Sequence, residues 1–176
     1  MRRIIIIIIT ICWVKYVQAQ HYSIGVNTLG ILVGSLNVEF SKSINRKTSF
    51  HLPISWNPFI LRNNKKIAHL AIHPDVRWWF DNYTSGLFIG GGLSFIRYNA
   101  GVTQLRYDGT AGGVTFVCGY SKVLSGKWAL MFETGAGLFK CSHDCYKRVV
   151  CGDYLYSEEK FKILPGKLSL SAVYIL

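Results

Sequence analysis

The ten residues at the C-terminal end, 167–176, constrain the fold more than any other stretch. Their sequence, KLSLSAVYIL, alternates apolar and small or polar residues up to the last position. Successive side chains of a β-strand point to opposite faces, so this period of two predicts a strand with different surroundings on its two sides. A strand at the end of the chain needs partners on both edges, since open edges lead to aggregation. We therefore interpret residues 167–176 as the closing strand of a barrel.

The same alternation recurs along the rest of the chain, in the segments 22–29, 36–41, 50–57, 67–80, 87–95, 114–121 and 128–138. Connections after the second, fourth and sixth segments are short, whereas those after the third, fifth and seventh (58–66, 97–112 and 140–166) are longer and polar. This asymmetry is typical of outer-membrane barrels with tight periplasmic turns and larger external loops. The pattern predicts an all-β fold, an eight-stranded antiparallel transmembrane up-and-down β-barrel. Its packed polar interior would be too narrow for an open pore.

The first nineteen residues have the pattern of a cleaved signal peptide. A basic Met1-Arg2-Arg3 segment precedes an apolar run, 4–14, and Val17-Gln18-Ala19 suits the cleavage site. A transmembrane anchor would need about 20 apolar residues, and Lys15 interrupts the run too early. We expect residues 1–19 to be removed and residues 20–176 to form the barrel domain in a bacterial outer membrane.

The charge of the chain indicates its partners. The formal net charge is +11, and removal of three basic residues with the signal peptide, Arg2, Arg3 and Lys15, leaves +8 (11 − 3). The basic residues are dispersed, which argues against nucleic acid and favours anionic lipids, including lipopolysaccharide. The apolar Leu176 with aromatic Tyr174 two residues earlier resembles the C-terminal signal through which the barrel-assembly machinery recognises its substrates.

Six titratable residues are predicted to point into the barrel: Glu39, His51, His73, Asp75, Arg77 and Glu133. Buried charges must pair, so we interpret Glu39, His73, Asp75, Arg77 and Glu133 as an internal ion-pair network. The alternative is a lipid-modifying hydrolase or acyltransferase in which His73 and Asp75 are catalytic. The inward face carries no G-x-S-x-G nucleophile motif, which favours the network and a protein that is not an enzyme.

Three cysteines, Cys141, Cys145 and Cys151, fall in the predicted last external loop. An oxidising compartment favours a disulfide between two of them, without indicating which two. Metal binding together with His143 is the alternative, but the spacing lacks the close ligand pairs of structural zinc sites. We expect no metal and no cofactor.

Several segments also match a known family. They are Ser55-Trp56-Asn57-Pro58, Pro74-Asp75-Val76-Arg77-Trp78-Trp79-Phe80, Gly126-Lys127-Trp128, Cys151-Gly152 and Pro165-Gly166-Lys167. Together they resemble the small outer-membrane proteins grouped as domain of unknown function 3575, although Asp75 stands where that family usually has Glu. The resemblance implies a barrel without an established activity. A structural or surface-interaction role through external loops is then our first expectation, with a lipid-modifying enzyme or a secreted lipocalin-like carrier as alternatives.

Overall fold

The computed structural model describes residues 21–61, 65–101, 104–149 and 152–176. The predicted signal peptide, 1–19, and Cys151 therefore lie outside the described residues. Within them the chain forms one short helix and ten strands: β1 (Tyr22–Asn27), α1 (Thr28–Leu32), β2 (Leu36–Asn45), β3 (Thr48–Asn57), β4 (Ile60–Leu61), β5 (Lys65–Ile72), β6 (Asp75–Trp79), β7 (Gly86–Gly101), β8 (Leu105–Ser125), β9 (Trp128–Lys147) and β10 (Tyr154–Ile175). No helix of the described part of the chain is long and apolar enough to cross a membrane.

The strands belong to one antiparallel sheet whose pairings run in a ring. The order is β2-β1-β10-β9-β8-β7-β6-β3-β5-β4, and further pairings join β2 to β3 and β5 to β7. Strands β5 and β6 occupy a single place in the ring, because both pair with β3 on one side and β7 on the other. The break between them falls at Pro74, which cannot donate a ladder hydrogen bond. The prediction of an all-β antiparallel fold is confirmed, and each of the eight predicted segments contributes to this ring.

Side chains alternate between a buried inner face and an exposed outer face. On β6, Asp75, Arg77 and Trp79 are buried, whereas Val76 and Trp78 between them are exposed. One end of the interior is apolar: Trp79 and Phe88 pack with ring centroids 4.7 Å apart, and Ala129, Met131 and Val173 complete the cluster. The middle of the interior is polar. Over much of its height the ring is therefore polar on its inner face and apolar on its outer face.

The prediction of long external loops after the fifth and seventh strands is wrong. Residues 97–112 and 140–166 are mostly strand, so that β8, β9 and β10 reach 21, 20 and 22 residues. Polar side chains pair across these strands, for example Arg97 with Asp108 at 2.7 Å and Lys140 with Glu159. Such cross-strand ion pairs can stabilise strands in which apolar and polar residues do not alternate. The extended parts of these strands form a wall that protrudes beyond β1, which pairs with β10 only from Ser171 onward.

At Gly92, strand β7 lies very close to the backbone that connects β5 to β6. A Cβ atom at Gly92 would lie 2.1 Å from the carbonyl oxygen of Pro74 and 2.6 Å from Cα of Asp75. Both atoms belong to the backbone and cannot rotate away. At Gly91, next to it, a Cβ would meet only the carbonyl oxygen of Thr115, at 3.6 Å.

We expect Gly92→Ala to destabilise the fold and Gly91→Ala to leave it nearly unchanged. Overpacking of a well-packed site typically costs about 1–3 kcal/mol, and here it would push β6 away from β7. Urea unfolding followed by tryptophan fluorescence would measure both variants. Equal stability of the two variants would contradict the close approach at Gly92.

Candidate functional site: a charge cluster inside the ring

Arg77 on β6 is the centre of a buried charge cluster. Its Nε lies 2.6 Å from Oδ1 of Asp75, which is on the same strand and two residues away and therefore on the same face. Its Nη2 lies 2.9 Å from Oε1 of Glu39 on β2 and 3.3 Å from Oε1 of Glu133 on β9. The guanidinium is fully buried. One cation thus contacts three carboxylates from three strands.

Lys167 on β10 is the second cation of the cluster. Its Nζ lies 2.7 Å from Oε1 of Glu133, 3.2 Å from Oε2 of Glu39 and 3.8 Å from Oδ2 of Asp75. A register shift precedes it, since Pro165 pairs with Ala136 and Lys167 with the next residue, Gly135. A bulge of this kind re-aims the side chains that follow it. Lys167 therefore shares the inner face with Ser169 and Ser171, which are both buried.

His51 on β3 extends the cluster by a chain of hydrogen bonds. Its Nδ1 lies 2.7 Å from Oε1 of Glu39, and its Nε2 lies 2.8 Å from Oγ of Ser49. Trp79 Nε1 donates to the same Ser49 oxygen at 2.7 Å. Ser49 can then donate its own hydrogen to Nε2 of His51, which assigns the imidazole proton to Nδ1, facing Glu39. Three carboxylates and two permanent cations leave the cluster one negative charge when His51 is neutral.

His73 is not part of this cluster, although we predicted it there. Its Nδ1 lies 2.6 Å from Oγ of Ser94 on β7, and Ser94 Oγ lies 3.5 Å from Oγ1 of Thr115 on β8. Ser94 is fully buried. The structure therefore brings together four of the five predicted network residues, Glu39, Asp75, Arg77 and Glu133, and places His73 in a separate His–Ser pair. A cavity of about 170 Å³, lined among others by His73, Lys167 and Glu39, connects the two groups.

Three members of the site were missed by the sequence interpretation, and two of them left a signal. Lys167 has the same parity as Ser169 and Ser171, the polar residues of the predicted closing strand. His51 was predicted to be inward but not to be an ion-pair partner. Ser94 has inward parity on β7, but nothing in the sequence indicates that it bonds to His73.

The predicted disulfide partners Cys141 and Cys145 both carry free, buried thiols. They lie on the inner face of β9 and not in a loop. Four residues of a strand span about 13 Å, whereas disulfide-bonded Cα atoms are less than about 7 Å apart. These two cysteines cannot pair with each other, and a bond to Cys151 falls outside the described residues. Among the described residues no group of three His, Cys, Asp or Glu side chains could hold a metal ion.

The two residues of the predicted assembly signal lie at the end of the ring where β1 begins. The ring of Tyr174 packs edge-on against Trp128, with centroids 5.0 Å apart. The backbone nitrogen of Leu176 donates to the carbonyl oxygen of Tyr22 at 2.9 Å, and the Leu176 side chain is exposed. Both side chains are thus placed where an outside partner could contact them.

Chemically, the cluster is suited to filling and fixing the interior. Its three carboxylates are paired with two cations. Two hydroxyl–imidazole pairs lie in or beside the cluster, Ser49 with His51 and Ser94 with His73, and both hydroxyls are fully buried. A nucleophile must reach a substrate atom to react with it. The arrangement therefore favours a structural network over a catalytic site.

Comparison with known proteins gives one match. A family model described as "Protein of unknown function (DUF3575)" matches residues 4–176, which is nearly the whole chain. This match confirms the resemblance that the sequence segments indicated. No curated protein and no solved structure matches the chain.

We expect Arg77→Gln to destabilise the protein by about 3–5 kcal/mol, since removing one partner of a buried ion pair leaves uncompensated charge. The matched control is Arg97→Gln, which breaks the exposed pair with Asp108 and should cost at most about 1 kcal/mol. Urea unfolding would compare the two. Adding Glu133→Gln to Arg77→Gln should recover part of the loss, because one unpaired carboxylate is then gone.

Equal losses for Arg77→Gln and Arg97→Gln would contradict a buried network. Failure of the second substitution to recover any stability would show that Glu133 and Arg77 are not coupled.

Proposed function

The chain belongs to the DUF3575 family of proteins of unknown function, and we propose that it is a bacterial outer-membrane β-barrel with a structural or surface-interaction role. In this proposal the ring of strands crosses the membrane. The protruding wall of β8, β9 and β10 then stands on the outer side, where it faces anionic lipids and other molecules. The protein carries out no chemistry of its own.

The observation that carries this proposal is the inverted polarity of the ring. Large apolar side chains point outward and are exposed, including Leu87, Leu93, Phe95, Val114, Phe116, Tyr120, Phe132, Leu138 and Leu168. Arg77, Glu133, His51, Ser49, Ser94 and Ser121 point inward and are buried. Soluble proteins rarely expose contiguous apolar patches of this extent. An outward apolar band around a polar interior is instead typical of barrels in lipid.

The ends of the band support the same proposal. At the end where β1 begins, Phe40, Trp78, Phe80, Tyr120 and Trp128 are exposed, and at the other end Trp56 and Phe59 are exposed. Aromatic residues prefer the two interfaces of a membrane.

The closed ring also fits a lipid environment. Lipid offers no hydrogen bonds to an open strand edge, so only closed sheets can cross a membrane with strands. Because β2 pairs with β3, the described strands close into a ring at the end where β1 lies, and no strand edge is open there. The carrier alternative needs an apolar interior, whereas the ring encloses three carboxylates and two cations.

We expect Phe116→Arg to prevent membrane insertion and Phe161→Arg to leave it intact. Phe116 lies in the middle of the outward band on β8, whereas Phe161 lies on the protruding part of β10 and is even more exposed. An arginine in the middle of a membrane costs about 2–4 kcal/mol. Cell fractionation and heat-modifiable gel mobility of the unaltered chain and both variants would measure insertion.

A soluble periplasmic location of the unaltered chain would overturn the proposal. So would identical insertion of the two arginine variants, because the band would then not contact lipid.

A lipid-modifying enzyme is the second candidate, and the 2.6 Å contact between His73 and Ser94 favours it. The full burial of Ser94 opposes it. We expect Ser94→Ala and His73→Gln to leave the acylation of lipid A and of phospholipids unchanged, as measured by mass spectrometry of extracted lipids. A change in acylation that is abolished by both variants, at unchanged protein level, would establish the enzyme instead.

A further inference from the structure

The protruding wall encloses a second cavity that the charge cluster does not use. It has a volume of about 350 Å³ and is lined by residues of β7, β8, β9 and β10. This volume is at the lower end of the range of about 300–1,000 Å³ for small-molecule sites. It lies beyond the bulge at Pro165, whereas Lys167 and the cluster lie on the other side of that bulge. The cavity and the charge cluster are thus separate sites.

The inner part of this cavity is apolar. Ile96, Ala111, Phe139 and Leu164 line it, and Ala111 and Phe139 are themselves buried against Cys141. These side chains offer no hydrogen-bonding group, so the part of a ligand that contacts them must be apolar. Each methylene group that they remove from water contributes about 0.8 kcal/mol.

The opposite side of the cavity is polar and carries three tyrosines. Tyr98 and Tyr107 both approach His143: the Tyr98 hydroxyl lies 3.1 Å from Nδ1, and the Tyr107 ring packs edge-on at 5.1 Å. Tyr156 lines the cavity as well, and its hydrogen bond with Cys145 raises the pKa of Tyr156 to about 12. The Tyr156 hydroxyl therefore keeps its proton at neutral pH and donates a hydrogen bond to Cys145.

The charges around the cavity leave an excess of positive charge. Glu158 also lines it, but Lys160 contacts its carboxylate, and the hydrogen bond from Lys160 lowers the pKa of Glu158. Two other carboxylates on this part of the wall are paired as well, Glu159 with Lys140 and Asp153 with Lys147. Lys162, two residues from the apolar Leu164 on the same face, also lowers the pKa of Glu158 by its charge, so that Lys160 and Lys162 share this one carboxylate. The cavity thus combines an apolar half with an excess of positive charge.

We propose that this cavity binds a single-chain anionic amphiphile, a medium-chain fatty acid, with its chain against Phe139 and its carboxylate at Lys162. The carboxylate then balances the excess positive charge at Lys162, which shares Glu158 with Lys160, and the apolar half covers the chain. Binding tightens about fourfold with each added methylene, the equivalent of about 0.8 kcal/mol, until the apolar half is full.

The test is calorimetric titration of the mature chain, held in an amphipathic polymer, with decanoate and separately with 1-decanol. Polymer without protein provides the blank. We expect decanoate to bind at least threefold more tightly than decanol. In Lys162→Gln this preference should disappear while decanol binding stays the same. Lys140→Gln, on the neighbouring strand and paired with Glu159, is the matched control and should keep the preference.

A second pair of variants tests the apolar half independently of charge. Ala111→Phe places a ring in the cavity, whereas Thr110→Phe places the same ring on the opposite, exposed face of β8. Decanoate binding should fall at least tenfold in the first variant and stay unchanged in the second. If Ala111→Phe does not fold, Ala100→Phe at the edge of the same cavity replaces it.

Decanoate that binds Lys162→Gln as tightly as the unaltered chain would overturn the anionic part of the proposal. Equal binding by the two phenylalanine variants, or no saturable binding at all, would overturn the site. Both outcomes are independent of membrane insertion, because fractionation measures insertion without any ligand.

Discussion

The contacts of one guanidinium group hold the interior of this ring together. Arg77 on β6 contacts carboxylates on β2 and β9, and Lys167 on β10 contacts the same carboxylates. Of the four strands β2, β6, β9 and β10, β9 and β10 pair with each other, and the others do not pair within this group. The backbone ladder connects neighbours only, so the cluster is what joins distant parts of the ring across its interior.

Burying five charges is costly, and the cost is offset only while every carboxylate keeps its cations. The two cations are therefore the residues on which the packing of the middle of the ring depends.

The cluster also fixes the register of the strands. A slip of one residue would turn the side chains of a strand to the other face, which would expose Arg77 outside and bring Val76 or Trp78 in. Two local features make the correct register possible. The bulge after Pro165 turns Lys167 inward, and Gly92 allows β7 to approach Asp75 closely. Both features lie next to the cluster, so backbone irregularity and charge placement specify the same arrangement.

The alternation in the sequence predicted the two faces of the ring, the antiparallel pairing and four members of the charge cluster. The alternation failed to predict strands in which apolar and polar residues do not alternate regularly. Residues 105–112 and 140–147 are strands in which Arg106, Asp108 and Lys140 interrupt the apolar pattern, and polar cross-strand pairs stabilise them instead. The bulge at Pro165 shifts the parity of β10, from even-numbered residues such as Glu158 on the inner face to odd-numbered ones such as Ser169, which periodicity alone cannot reveal. His73 lies between β5 and β6, and its contact with Ser94 depends on how these strands pair with β7, for which the local sequence pattern carries no signal.

The upper part of β10 shows how the protruding wall can remain exposed without aggregating. Residues 154–169 pair with β9 on one side and have no strand on the other among the described residues. An unpaired edge is a template for other chains, and proteins protect such edges with lysines and proline. Lys160, Lys162 and Pro165 lie on this edge. Lys160 is neutralised by Glu158, whereas Lys162 faces the apolar cavity. This short stretch of β10 thus has two roles. Its lysines and proline protect the strand edge, and Lys162 places a positive charge beside the apolar cavity. The residues that oppose strand pairing are therefore also those that select an anionic ligand in our proposal.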